Sequence, residues 1–242
     1  MEQTFHFKKV AVLGAGVMGA QIAAHLANAN VEVVLFDLPS KDADKNGIVR
    51  KALATMQKLE PTPFSVKSKV NDIEAANYET DLQKLRHCDL IIEAISERMD
   101  WKADLYAKVS PHISANAIFA TNTSGLSLKA LSEKLPAELK NRFCGVHFFN
   151  PPRYMSLVEI IPGPSTHSLV MDNLEAFLTT TLGKSVVRAK DTPNFIANRI
   201  GVFSMLATLH HAGKFNLGFD EVDALTGPVT VSYTHLTLPT KA

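Results

Sequence analysis

Cysteine is scarce: the 242 residues hold two, Cys88 and Cys144, far apart and in no C-x-x-C pair. That excludes a readable disulfide framework or zinc motif and makes a reducing cytoplasm the expected compartment. Long hydrophobic runs are missing as well. No stretch reaches the ~18 uninterrupted apolar residues of a membrane helix, so a soluble protein without membrane insertion is expected. Nor is there an excess of either charge, since 25 Lys and Arg face 24 Asp and Glu for a net +1. A global field for nucleic acid or an anionic membrane is thereby excluded, though not a local basic patch. Internal repeats and low-complexity tracts are absent.

What remains is ordinary globular material, 46% hydrophobic and 20% charged, enough for one large domain or two small ones. Lys8-Lys9 followed by Val10 to Ala20 superficially copies a secretory leader. Glycines at 14, 16 and 19 argue against that reading.

Short apolar runs alternate with segments of helical period. Candidate strands are Val10–Leu13, Val31–Phe36, Leu90–Ile95, Ala117–Ala120, Phe143–Phe148 and Val158–Ile161. Each is too short for a helix and is flanked by Gly, Asn, Asp or Pro. Between the first two, Met18, Ile22 and Leu26 recur every fourth residue, the stripe of a helix packed on a sheet. The alternation predicts an α/β fold, a Rossmann-type, mostly parallel sheet. Residues 40–77, charged and split by Pro61 and Pro63, read as an inserted helical hairpin. A second, all-helical domain begins near residue 191, where Ile196, Ile200, Phe203 and Leu206 take helical spacing. The expected organisation is a dinucleotide domain over 1–190, the start of an incomplete helical domain over 191–230, and a non-native tail over 231–242. That tail loses helical period and reads as foreign sequence appended to a truncated chain.

Gly14-Ala-Gly16-Val-Met-Gly19 matches G-x-G-x-x-G, directly after a strand and opening a helix. Glycine clusters are common, but here the required context is present, and Asp37 closes the second strand 23 residues after Gly14. The first glycine permits the tight turn, the second admits a pyrophosphate, and the third lets helix and strand pack closely. A helix N-terminus supplies free N–H groups for the diphosphate. Asp37 can accept from the ribose hydroxyls and would repel a 2′-phosphate, which favours NAD over NADP. The plainer alternative is a structural turn beside a solvated aspartate.

Three later segments place polar residues among apolar ones: Thr121-Asn-Thr-Ser124, His147-Phe-Phe-Asn150 and Glu159 within Leu157–Ile161. Taken singly, His147 reads as a satisfied buried histidine and Glu159 as a structural carboxylate. Asn122-Thr-Ser124 also spells a glycosylation sequon, of a length that arises by chance. Taken together beside a dinucleotide turn, a histidine and a carboxylate suggest a base held in one tautomer by its partner.

The runs VLGAGVMGAQIAAHLA, IIEAISE, ATNTSGLS, GVHFFNPPRYMSLVEIIPG and KDTPNFIANRIG together resemble the 3-hydroxyacyl-CoA dehydrogenase family, in family order from Lys9 to about Pro228. The detail is most similar to the dehydrogenase part of bacterial bifunctional β-oxidation proteins. The resemblance implies NAD-dependent oxidation of (S)-3-hydroxyacyl-CoA to 3-oxoacyl-CoA. It implies His147 as general base, Glu159 as its holder, Ser124 on the 3-oxygen, and Asn150 and Asn198 as positioning groups. It also implies NAD on Gly14, Gly16, Gly19 and Asp37, with Glu97 near the cofactor and no metal. An acyl-CoA would lie against the 40–77 segment, whose Lys51 and Lys58 could meet CoA phosphates or simply be solvated. The parent would be a homodimer or part of a bifunctional chain. Asn194 departs from the glycine that many relatives carry there. Three other readings stay open: a non-catalytic NAD-binding scaffold, an enzyme acting on a free hydroxy acid, and an inert fragment of an active parent.

Overall fold

The computed structural model describes residues 7–226, so the tail expected over 231–242 lies outside the described residues. Eight strands form one sheet in the order β3-β2-β1-β4-β5-β6-β7-β8. They are β1 Lys9–Leu13, β2 Glu32–Asp37, β3 Ile73–Asn77, β4 Leu90–Glu93, β5 Ile118–Thr121, β6 Phe143–Phe148, β7 Leu157–Pro162 and β8 Ser185–Arg188. Every pairing is parallel except β6 with β7. The helices are α1 Val17–Asn28, α2 Gly47–Met56, α3 Met99–Val109, α4 Leu128–Ser132, α5 Ala137–Lys140, α6 Ser168–Thr180, α7 Ala197–Phe215 and α8 Phe219–Thr226.

The central strands read as apolar runs because both faces of the sheet are covered. Val10 and Val12 face one cluster with Ile22 and Leu26 of α1, while Ala11 and Leu13 face the other with Tyr106 and Val109 of α3. Strand order reverses between β1 and β4, which opens a crevice at their carboxyl ends, the switch point where such sheets take ligands.

Within 40–77, the stretch before Pro61 is helical as expected, forming α2. After Pro63 there is a single 3-10 segment, Lys67–Asp72, and the last five residues join the sheet as edge strand β3. The insertion is fastened rather than loose. The Asn28 side chain donates to Pro63 O at 2.8 Å and accepts from Ser65 N at 2.8 Å. Arg153 donates to the carbonyls of Thr62 and Phe64 at 2.7 and 2.6 Å.

One compact unit ends at Phe195 and a second begins at Ile196, a few residues past the boundary expected near 191. Asn194 has φ +62° and Phe195 φ +48°, both left-handed. Asparagine tolerates that region better than most residues. The described residues of the second unit form α7 and α8, and the expected stripe of Ile200, Phe203 and Leu206 is exposed among them. No helix among them is long and apolar enough to cross a membrane.

Candidate active site

The glycine turn is dictated by space. Gly14 has φ +107°, and a Cβ there would stand 2.9 Å from Ala94 O. A Cβ on Gly19 would lie 1.9 Å from Gly14 O, so any side chain would force α1 off β1. Gly16, at the N-cap of α1, has open space where its Cβ would be. The outer two glycines thus serve packing, and the middle one clears an approach to free backbone N–H groups.

Asp37, at the end of β2, accepts from Ala15 N at 2.6 Å through Oδ2 and from Leu38 N at 2.7 Å through Oδ1. It braces the turn while retaining lone pairs toward the cleft. Gly14, Gly16 and Asp37 line one cavity of about 370 Å³, walled further by Leu38, Ile95 and Trp101. Glycine amides and the Asp37 carboxylate set among apolar walls, with Asp104 and Lys108 also in the lining, suit a dinucleotide. Sequence reading missed Leu38, Ile95 and Trp101, which meet only in the fold.

The chemistry-bearing residues gather at the carboxyl ends of three adjacent strands: Glu97 just past β4, Thr121–Ser124 from the last residue of β5 onward and His147–Asn150 across the end of β6. Asn122 joins the last two by accepting from Phe148 N at 2.9 Å. His147 and Glu159 are direct partners across the antiparallel β6–β7 ladder, with Nδ1 2.7 Å from Oε2. Both are buried, at 5% and 1% exposure. Phe149 and Phe195 stand at ring separations of 4.5 and 5.7 Å from the imidazole. Asn150 accepts from Gln21 Nε2 at 3.1 Å, which ties it to α1. Asn198 is the second residue of α7, in the second unit.

Glu97 does something the sequence did not reveal. Its carboxylate accepts from Thr123 Oγ1 at 2.7 Å, Ser124 N at 2.5 Å and Ser124 Oγ at 3.1 Å. A second, fully buried carboxylate lies beneath. Glu93 accepts from Lys102 Nζ at 2.6 and 2.8 Å, Tyr106 OH at 3.0 Å, Thr121 Oγ1 at 2.7 Å and Ile95 N at 2.8 Å. The one visible signal was a charge closing the apolar run Leu90–Glu93. Asp191, in the DTP motif, accepts from Leu128 N and Lys129 N at 2.9 Å and caps α4.

Both cysteines are buried free thiols whose pKa burial pushes up to about 12. Among the described residues no three His, Cys, Asp or Glu side chains gather as a metal site.

The profile of the family described as 3-hydroxyacyl-CoA dehydrogenase, NAD binding domain, matches residues 9–192. A fatty acid oxidation complex trifunctional enzyme of Rickettsia felis is 46% identical over 219 residues, covering 90% of this chain and 30% of the relative. A protein of Deinococcus radiodurans described as a 3-hydroxyacyl-CoA dehydrogenase is 44% identical, covering 91% of this chain and 64% of the relative. The chain therefore spans less than two thirds of either relative. Among solved structures, the (S)-3-hydroxybutyryl-CoA dehydrogenase of Ralstonia eutropha superposes with a TM-score of 0.75 at 28% identity, covering 89% of this chain and 75% of the other.

Proposed function

The chain belongs to the 3-hydroxyacyl-CoA dehydrogenase family, its residues 9–192 matching the NAD-binding domain, and on that premise we propose that it serves NAD-dependent oxidation of (S)-3-hydroxyacyl-CoA to 3-oxoacyl-CoA in fatty-acid β-oxidation. The observation that carries this reading is the buried His147–Glu159 pair at 2.7 Å, set three strands from the glycine turn on one sheet edge.

With Nδ1 engaged by Glu159, Nε2 is the nitrogen left to a substrate. His147 takes the 3-hydroxyl proton there, and Glu159 stabilises the imidazolium that results. Ser124 orients the 3-oxygen, with its loop held by Glu97, and Asn150 and Asn198 position the acyl group. Gly14, Gly16, Gly19 and Asp37 hold the dinucleotide, and bound NAD supplies the acceptor for the hydride from C3. The proposed setting is the cytoplasm, in a homodimeric or multifunctional parent.

A second reading rests on the chain's 30% and 64% shares of its relatives: an NAD-binding chain that does not itself turn over. Acetoacetyl-CoA-dependent loss of NADH absorbance, measured beside NADH binding, separates them. Oxidation supports the dehydrogenase; NADH binding without oxidation supports the second reading.

A further inference from the structure

Lys184 is the least expected charge in the first unit. It sits between α6 and β8 at 4% exposure. Its ammonium donates to the carbonyl of Met155 at 2.9 Å and to that of Pro152, with no carboxylate among its hydrogen-bond partners. Both carbonyls belong to the loop that carries Asn150 away from His147. The same loop is pinned at its end by Ser185 N donating to Ser156 O at 2.8 Å.

We propose that Lys184 is a positioning residue, fixing the 150–156 loop beside His147 through these two main-chain carbonyls. The inference deepens the dehydrogenase reading, and its geometry stands without it.

The physical case is that this charge is poorly suited to the interior. Burial pulls the Lys184 pKa down from 10.5 to about 8. Between those values the unfolded chain holds the proton more tightly, so stability rises with pH through that window, and at neutral pH the charge is a net cost to the fold. His25 on α1 feels both Lys184 and Arg153, and burial together with their charge lowers its pKa to about 4, so it is neutral at pH 7. What the ammonium gives in return is a pair of charge-assisted bonds to one loop. A side chain kept for global stability would be paired with a carboxylate or be apolar.

The test is amide hydrogen exchange on the whole chain, comparing wild type with Lys184→Met and Lys184→Arg. In Lys184→Met, exchange within 150–156 is expected to rise about tenfold or more, while β1, β4 and β5 keep wild-type protection. Lys184→Arg, which keeps a donor and the charge, should restore part of the protection. Where acetoacetyl-CoA reduction is measurable, kcat should fall in Lys184→Met with KM for NADH unchanged. Unchanged loop exchange in Lys184→Met would overturn the proposal, as would an equal rise across the core strands. A wild-type chain without turnover bears on the dehydrogenase reading alone, because the exchange comparison still decides the role of Lys184.

Discussion

Glu97 and Ser124 are bound twice, the carboxylate accepting from the serine amide at 2.5 Å and from its hydroxyl at 3.1 Å. The two residues lie 27 apart in sequence and follow neighbouring strands. This contact makes Glu97 a holder of the serine loop. Glu97→Ala should lower kcat about tenfold, the worth of one or two hydrogen bonds to a charged group, while the Kd for NADH stays within about twofold. Steady-state kinetics and calorimetry check it. A loss confined to NADH affinity would assign the carboxylate to the cofactor instead.

Asp37 carries two duties, bracing Ala15 N and facing the cleft. Asp37→Ser is therefore expected to weaken NADH binding about tenfold and to narrow the gap between NADH and NADPH. Parallel titrations with the two dinucleotides measure both effects.

The Glu93–Lys102 pair is wholly buried. Lys102→Met strands a carboxylate in the core and should cost about 3–5 kcal/mol in urea unfolding. Lys102→Met combined with Glu93→Gln should recover most of that loss, because no uncompensated charge is then left. If the single variant unfolds like wild type, the network does not stabilise the fold.

His25 donates through Nε2 to Leu182 O at 3.2 Å, while its Nδ1 is buried without a partner. Burial first, then the Lys184 charge, lowers its pKa from 6.5 to about 4. The unfolded chain takes up the proton first, so the stability contributed is full above pH 6.5 and is lost as pH falls toward 4. Its ceiling is about 3 kcal/mol. Thermal melts from pH 7 to 4.5 should show a shallower acid slope in His25→Gln than in wild type.

The glycine turn and Asp37 were legible because their constraints are local: tight φ, close packing and a fixed span to the next strand end. The six inner strands were legible because burial on both faces leaves an apolar run. The two that escaped, β3 and β8, are the outermost in the sheet, where Glu74, Asn77, Ser185 and Arg188 dilute the pattern. The His147–Glu159 pairing could be suspected from residue types, but its register depends on an antiparallel turn that spacing does not specify. The roles of Glu97, Lys184 and Asp191 were not legible. Each acts on backbone groups 27 to 63 residues away, so only the fold brings donor and acceptor together.

The central claim is that His147 moves the substrate proton. The most direct measurement is acetoacetyl-CoA-dependent NADH oxidation by wild type and His147→Gln, with NADH affinity determined for both. Turnover should fall about a hundredfold or more while NADH binding is unchanged. Turnover that survives the substitution at near wild-type rate would contradict the assignment of His147 as the base.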